Sequence, residues 1–379
     1  MQTSSEDIPD NPASAVRQSS VPLYTQIAEY LQTNFIARTG NKEIILPSEK
    51  KLAEKFCVHR GTVRKAIAAL KKNGCVQSRR GQGTFTKVLA AAGKDRIDLI
   101  LPPSSTDSVL NPVNYFLSIE ILKGISAQCE LYHSRLYIHD IPWEENVHIK
   151  ILSLYEKNQS SAGILFIGYT GWERTISELT ARNIRSVVIN GLKSNTAVNS
   201  IGTDHEENIC KAVAHLSGLG HKKIGYISGP LSSPVLQERF NGFVKAMRME
   251  GIRTPEVLIA ECGGLPDDGY KACGKLLQEN PGITALCCAT DYRALGAIRF
   301  CSEHNIHVPR DISITGYDGI AEGEHCTPPL TTIKTPLCEY GRQAVKMLID
   351  TRHNSADECM RKTLPGVLIT RQSSGPCRG

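Results

Sequence analysis

Two arginines in the first quarter of the chain have the spacing of neighbours on one helical face. Arg60 and Arg64 lie four residues apart, so a helix places them on one face. An exposed arginine can bond a guanine bidentately in the major groove. Val63, Ile67 and Leu70 define the opposite, apolar side of the same helix. The spacing predicts a helix that reads base edges, and a merely solvated basic face is the alternative.

A net excess of positive charge is confined to this part of the chain. Residues 1–93 contain 14 Lys and Arg against 7 Asp and Glu, whereas the other residues contain 30 against 31, which gives a total of +6. Lys50 and Thr62 are suited to phosphate or sugar contacts. Arg79 and Arg80 precede a glycine turn and could follow the minor groove. A basic module joined to a neutral body predicts a polyanion-binding head and a separate task for the body.

A second set of side chains suits a small ligand rich in hydroxyl groups. Arg239 heads a predicted helix. Asn190 and Asp318 end apolar strands, and Asp291 directly follows another strand. Carboxylates accept hydrogen bonds from sugar hydroxyls, and a guanidinium donates them. Because open α/β sheets bind ligands at the carboxyl ends of their strands, the pattern predicts an effector site there. For Asp318, capping of a turn is the alternative.

The elements around the first set predict a winged helix-turn-helix. An apolar stripe starts a helix at Leu23, Ser48 is placed to cap a second helix, and the third helix runs over residues 60–73. Residues 75–78 and 84–87 read as two short strands around a glycine turn. Helices joined by a tight turn and followed by a basic hairpin are typical of this motif.

The rest of the chain alternates between strands and helices, which predicts an α/β fold with parallel sheets. The strand candidates are Ile97–Leu101, Leu136–His139, Gly163–Gly168, Ser186–Asn190, Lys223–Ser228, Val257–Ala260, Ala285–Ala289 and Ile312–Tyr317. About 280 residues are many for one sheet, so we expect two lobes with a cleft. We predict a disordered tail over 1–20, the winged helix-turn-helix over 21–88, a linker over 89–95 and a two-lobed effector-binding and dimerisation domain over 96–379.

Four segments near the N-terminus resemble the DNA-binding domain of the GntR family of bacterial transcription regulators. They are Pro22–Ile27, Leu46–Ala53, Val58–Ala66 and Gly81–Phe85. The resemblance implies operator contacts at Ser48, Lys50, His59, Arg60, Thr62, Arg64, Arg80 and Gly81. Two residues depart from the family pattern. His59 stands where Ser or Thr is usual, and Gly61 stands where a bulkier residue is common.

Five later segments are similar to the effector domain of the lactose/galactose repressor family, which shares the fold of periplasmic sugar-binding proteins. They are His215–Pro230, Arg239–Phe243, Ala289–Ala297, Val308–Asp318 and Pro328–Ile333. The resemblance implies two lobes, about 96–203 with 334–360 and 204–333 with 361–379, joined by three crossovers. A GntR-like head on such a body resembles regulators of the arabinose-repressor type.

Residue types and this resemblance together suggest which residues contact the effector. They are Tyr115, Phe116, Asn190, Arg239, Thr290, Asp291 and Asp318. Tyr115 and Phe116 fall in the loop that usually offers aromatic side chains in the family. Thr290 replaces a frequent Asn, and the loop at Gly264 lacks the aromatic residue often found there. Trp172 is a candidate substitute for stacking, with a packing or surface role as its alternative.

Catalytic signatures are missing from the sequence, since GxSxG, GxxxxGK[ST] and HExxH do not occur. We therefore expect no enzymatic activity, no catalytic residue, no cofactor and no metal. The 13 cysteines have irregular spacings, which favours reduced thiols in a cytoplasmic protein. No apolar run is long enough to cross a membrane.

The sequence predicts a sequence-specific DNA-binding transcription regulator that responds to a small molecule. A repressor of carbohydrate-utilisation genes with a sugar effector is the first reading, although a purine would also suit the site. The expected partners are double-stranded operator DNA, the effector and a second copy of the chain, because half-sites lie about one DNA turn apart. The alternative is a sugar-binding or sugar-modifying protein whose basic head contacts a protein partner. DNA affinity that falls steeply with salt distinguishes the first reading.

Overall fold

The chain divides into two compact units, residues 1–94 with 130–134 and the remaining residues. The computed structural model describes residues 22–31, 43–72, 75–79, 82–86, 96–101, 112–141, 147–157, 161–168, 172–190, 198–252, 258–350 and 359–378. We call residues 22–86 the head and residues 96–378 the body. The predicted tail over 1–20 and the predicted linker over 89–95 lie outside the described residues.

The described part of the head contains three helices and a wing. They are α1 (Leu23–Leu31), α2 (Glu49–Phe56), α3 (Arg60–Lys72), β1 (Val76–Arg79) and the antiparallel β2 (Gly83–Thr86). The Ser48 hydroxyl caps α2 as predicted, accepting a hydrogen bond from the Lys51 amide at 3.3 Å. Cys57 adopts a left-handed conformation, with φ 51°, and so makes the tight turn before α3. The head core includes Ile27, Leu31, Leu52, Phe56, Val63, Ile67 and Leu70.

The first lobe of the body is a parallel sheet covered by helices. Its strands are β3 (Arg96–Ile100), β4 (Arg135–His139), β5 (Ser161–Ile167), β6 (Ser186–Ile189), β7 (Asn199–Gly202) and β13 (Arg361–Thr363). They follow the order β13-β7-β6-β5-β3-β4. The helices are α4 (Pro112–Leu131), α5 (Val147–Lys157), α6 (Glu173–Ala181) and α12 (Leu337–Asp350). Every residue of β6 is buried, as expected for a strand with helices on both faces.

The second lobe has a similar sheet. Its strands are β8 (Ile224–Ser228), β9 (Ile259–Glu261), β10 (Ala285–Cys288), β11 (Ser313–Asp318), β12 (Thr331–Lys334) and β14 (Val367–Ile369). The order is β14-β12-β11-β10-β8-β9, and only the β12–β14 pair is antiparallel in this sheet as described. The helices are α7 (His205–Gly218), α8 (Pro234–Met249), α9 (Pro266–Glu279), α10 (Asp291–Glu303) and α11 (Ala321–His325). The carboxyl ends of β8, β10 and β11 therefore meet at one edge.

Three crossovers join the lobes. They lie between Gly202 and His205, between Lys334 and Leu337, and between Thr363 and Val367. Because β13 pairs with β7, residues 361–363 belong to the first lobe, whereas the sequence analysis placed residue 361 onward in the second. The eight predicted body strands are present with ends shifted by at most two residues, and β7, β12, β13 and β14 are additional.

Two further expectations concern membrane-spanning helices and the cysteines. Among the described residues, no helix is both long and apolar enough to cross a bilayer. All 13 cysteines lie in described parts of the chain, where none forms a disulfide and six are buried. Thiols such as Cys287 and Cys288 therefore pack as small apolar side chains, and burial raises their pKa values.

Candidate nucleic-acid and effector sites

The predicted base-reading side chains lie on the exposed face of α3. Arg60 and Arg64 are exposed, whereas Val63 between them is fully buried. Nη2 of Arg64 lies 3.2 Å from Oε2 of Glu49 in α2, yet the Arg64 side chain is 70% exposed. A pair this exposed is weak, so Glu49 orients the guanidinium and leaves it accessible to DNA.

His59 and Gly61, the two departures from the family pattern, fit each other. The amide of Gly61 donates a hydrogen bond to Nδ1 of His59 at 3.1 Å, so the imidazole caps the start of α3. This bond requires the tautomer with its proton on Nε2. A Cβ atom at residue 61 would lie 3.2 Å from the same Nδ1. The missing side chain therefore makes room for the unusual cap.

The remaining predicted DNA contacts divide between accessible and undescribed positions. Ser48 and Lys50 are exposed, and Thr62 is half-buried. Nη2 of Arg79 lies 2.6 Å from Oε1 of Glu43, and the guanidinium stacks 4.9 Å from the Phe85 ring centre. These two contacts hold Arg79 along the wing. The other wing residues of the prediction, Arg80 and Gly81, lie outside the described residues.

Arg239 is held at the carboxyl edge of the second sheet. It lies in α8, which begins at Pro234, and only 4% of it is exposed. Nη1 donates to the Ala289 carbonyl at 2.6 Å, and Nη2 donates to Oδ1 of Asp318 at 3.1 Å. The guanidinium carbon lies 3.7 Å from the centre of the Tyr317 ring. Arg239 thus joins the ends of β10 and β11.

Asp318 combines burial, strain and an unused acceptor. It is 2% exposed, and its φ of 118° is unusual for a residue with a side chain. Burial raises the pKa of its carboxyl group, although the charge of Arg239 opposes this. Oδ1 is bonded to Arg239, whereas Oδ2 is buried with no hydrogen-bond partner among the described residues. Such an oxygen is an acceptor available to a ligand hydroxyl.

Thr290 and Asp291 begin α10 and have different surroundings. The Thr290 hydroxyl caps the helix, accepting from the amide and from Nη1 of Arg293 at 3.4 and 3.0 Å. Asp291 is fully buried, and Oδ2 accepts from the amides of Gly319 and Ile320 at 2.7 and 2.9 Å. Its Oδ1 accepts from a threonine hydroxyl of β12. These bonds favour a role for Asp291 in holding the loop after β11, rather than the direct effector contact expected from sequence.

The side chains that pack behind Arg239 and Tyr317 were not predicted from the sequence. The Tyr317 hydroxyl lies 2.8 Å from Nδ1 of His205 and accepts a hydrogen bond from Asn208 at 3.0 Å. Asn208 also donates to the Thr203 hydroxyl at 2.7 Å and accepts from the Gly366 amide at 3.1 Å. Thr203 and Gly366 belong to two of the three crossovers. This chain of bonds therefore connects the Arg239–Tyr317 stack to the hinges between the lobes.

The first-lobe candidates fare differently. Asn190 directly follows β6, is half-buried and adopts a left-handed conformation with φ 55°. Tyr115 and Phe116 lie within α4, which begins at Pro112, rather than in a loop as predicted, and their side chains are outside the described part. The helix therefore starts earlier than the sequence pattern suggested. Trp172 is fully buried, 5.5 Å from Phe166 between ring centres, which supports core packing over stacking on a ligand.

Comparisons with known proteins agree with both units. Residues 23–86 match the bacterial regulatory proteins of the gntR family, and residues 213–374 match the periplasmic binding protein-like domain. The chain is 31% identical over 273 residues to the transcriptional repressor MelR of Bacillus subtilis, covering 69% of this chain and 74% of that protein. It is 41% identical over 165 residues to the repressor PurR of Haemophilus influenzae, covering 43% of this chain and 49% of PurR.

The fold has been seen in solved structures. The transcriptional repressor AscG of Escherichia coli superposes with a TM-score of 0.63 and 26% identity, over 74% of this chain and 98% of that one. The chain spans about half the length of the PurR proteins it matches. These relatives are named as transcriptional repressors and not as enzymes. The chain belongs to the gntR family of bacterial regulators, with a body of the periplasmic binding protein-like type used by lactose-repressor-like regulators.

Proposed function

We propose that this protein is a cytoplasmic, homodimeric transcriptional repressor that binds operator DNA through its head. We further propose that a sugar-like effector binds between the lobes of the body and controls carbohydrate-utilisation genes. The observation that carries the proposal is the presence of two distinct sites in one chain. One is the exposed basic face of α3, and the other is the buried Arg239–Asp318 pair with its unused carboxylate oxygen.

The head supports DNA binding by the placement of its charges. Arg60 and Arg64 are exposed on the helix that enters the major groove in this motif, and Lys50 is exposed at the start of α2. Phosphate contacts supply affinity, and the arginines supply base preference. A single small head binds weakly, so two heads on adjacent half-sites are needed for useful affinity.

The body supports effector binding by the chemistry of one edge. Oδ2 of Asp318 accepts a hydrogen bond from a ligand hydroxyl, and the ion pair with Arg239 fixes the carboxylate in advance. The backbone strain at Asp318 is a feature that clusters at binding sites. Asn190 directly follows β6 of the first lobe and is half-buried, and in this proposal it supplies a second polar group to the effector. Effector binding to both lobes biases their relative arrangement, and the crossovers pass that bias to the dimer.

A binding assay tests the proposal for the head. Fluorescence anisotropy with labelled DNA from upstream of the coding sequence is expected to show binding that weakens steeply between 50 and about 200 mM salt. Arg64→Ala lowers the affinity at least tenfold. Arg174→Ala in α6 is the control, because this arginine is equally exposed, with a side chain 73% accessible. Absence of binding at low salt, or an Arg64→Ala protein that binds like the wild type, contradicts the proposal.

A thermal-shift screen tests the proposal for the body. The full chain is screened against pentoses, hexoses, disaccharides, sugar phosphates, sugar acids, nucleosides and purine bases, since a true ligand raises the melting temperature by mass action. The shift is expected to vanish in Asp318→Asn. If every compound leaves the melting temperature unchanged, or if Asp318→Asn responds like the wild type, effector binding at this edge is wrong.

A further inference from the structure

A second guanidinium lies at the same edge of the second sheet. Arg293, in the first turn of α10, is 3% exposed. Nη1 donates to the Thr290 hydroxyl at 3.0 Å, and Nη2 lies 3.4 Å from the Cys262 carbonyl oxygen. A Cβ atom built on Gly229 would lie 2.2 Å from Nη2, so the guanidinium also touches the end of β8. It therefore spans the carboxyl ends of three adjacent strands, β9, β8 and β10.

The two buried arginines of this edge differ in how their charge is compensated. Arg239 has Asp318 at 3.1 Å. Arg293 has no carboxylate within ion-pair distance among the described residues, and its buried Nε has no hydrogen-bond partner there. The nearby Asp318 is already bonded to Arg239, and the nearby Asp291 is occupied by two amides and a hydroxyl. Of the two guanidinium groups at this edge, only that of Arg239 is bonded directly to a carboxylate.

A buried charge that bonds no carboxylate directly is costly, and a ligand that supplies the opposite charge lowers that cost. Arginine suits this role because its planar fork matches a carboxylate or phosphate group. The Thr290 hydroxyl accepts bonds from Arg293, so its own proton remains available for a ligand oxygen. The amino end of α10 adds a favourable dipole for an anion at the same place.

We infer that the effector is an anionic sugar derivative, a sugar phosphate or a sugar acid, whose charged group binds Arg293 and the Thr290 hydroxyl. This inference rests on the proposed effector site and deepens it. Arg239 and Asp318, over β10 and β11, bind the hydroxyl-bearing part of the ligand. Arg293, over the neighbouring strands, binds the anionic end and sets the specificity against neutral sugars.

Matched probes test the charge preference directly. The full chain is titrated with glucose, gluconate and glucose 6-phosphate, with ribose, ribonate and ribose 5-phosphate, and with inorganic phosphate, and the melting temperature is followed. At least one anionic sugar is expected to raise it more than its neutral parent, and inorganic phosphate is expected to raise it at millimolar concentration. The carboxylate and phosphate members of each set distinguish the two kinds of anion.

Variants of the two arginines localise the effect. Arg293→Met is expected to weaken the anionic ligand at least tenfold and to remove the preference over the neutral parent. Without ligand its melting temperature is expected to stay close to that of the wild type, because Arg293 bonds no carboxylate directly among the described residues. Arg293→Lys retains the positive charge and the fold but loses the planar guanidinium. Its affinity for the anionic ligand is therefore expected to lie between those of the wild type and Arg293→Met. Arg299→Met is the control, since this arginine is in the same helix but half-exposed and paired with Asp267.

Several results overturn the inference. One is a neutral sugar that stabilises as well as its anionic derivatives, and another is an Arg293→Met protein that keeps the anion preference. If neutral sugars bind and Asp318→Asn abolishes their binding, the anion inference fails while the effector proposal stands. If neither neutral nor anionic probes, inorganic phosphate included, change the melting temperature, the inference and the effector proposal fail together.

Discussion

Arg64 in the head and Arg239 in the body form ion pairs of nearly equal length, 3.2 and 3.1 Å, in opposite surroundings. The side chains of Arg64 and Glu49 are 70% and 30% exposed, whereas those of Arg239 and Asp318 are 4% and 2% exposed. Water and salt screen the first pair, so its arginine is free to exchange a carboxylate for a DNA phosphate or base. The second pair is fixed, and it presents a prearranged carboxylate to a ligand. Distance alone therefore does not indicate what a charged pair does.

The largest expected effect comes from breaking the buried pair. Arg239→Met leaves Asp318 buried without its counter-ion, and we expect it to lower the free energy of unfolding of the body by about 3–5 kcal/mol. Arg64→Met is the matched change in the head, where loss of an exposed pair costs less than about 1 kcal/mol. Urea unfolding of both variants measures the contrast. Equal losses in the two variants would show that burial does not separate these pairs.

A smaller loss of stability is expected from Tyr317, which packs behind the Arg239–Asp318 pair. Tyr317→Phe removes the hydroxyl that links His205 and Asn208, and it leaves their polar atoms buried with one bond fewer. We expect the free energy of unfolding to fall by about 1–3 kcal/mol. Tyr270→Phe is the control, because its hydroxyl bonds Glu303 at the surface. A Tyr317→Phe protein as stable as the Tyr270→Phe protein would remove this network from the account.

The smallest effect lies in the head, where His59 and Gly61 are predicted to be coupled. Gly61→Ala improves helix propensity by up to about 1 kcal/mol, but with His59 present its Cβ crowds the capping imidazole. In the His59→Ser background we expect the same change to be more favourable by about 0.5–1 kcal/mol. Hydrogen exchange of the α3 amides in the four proteins measures this. An unchanged effect of Gly61→Ala in the two backgrounds argues against the coupling.

Much of the fold follows from local patterns in the sequence. The apolar stripe of α3 and the Ser48 cap of α2 define the head, and largely apolar stretches such as Ser186–Ile189 define the central strands. The strands that were missed are short and lie toward the sheet edge or carry polar residues, as in Thr331–Lys334 and Arg361–Thr363. Their pairing depends on neighbours far away in sequence. No periodicity within three or four residues reveals them.

The site was predicted in its residue types but not in its bonding. Arg239 and Asp318 follow from their positions at a helix and a strand end, and the structure brings them within 3.1 Å. The local sequence does not reveal that Asp291 is hydrogen-bonded within the protein. Its partners are two amides that follow β11 and a hydroxyl in β12. Arg293 was overlooked because one arginine in a helix looks like a solvated residue. Its burial against the ends of β8 and β9 depends on tertiary packing, which the local sequence does not show.

The central claim is that DNA binding resides in the exposed charges of the head and ligand response in the buried charges of the body. One measurement tests it most directly: DNA anisotropy and ligand thermal shift on the same preparations of wild type, the double variant Arg60→Ala/Arg64→Ala, and Asp318→Asn. The account predicts that the head variant loses at least tenfold in DNA affinity and keeps the thermal shift. Asp318→Asn keeps DNA binding and loses the shift. The claim is contradicted if one of these variants, still folded, loses both DNA binding and the thermal shift. It is also contradicted if both variants keep both activities.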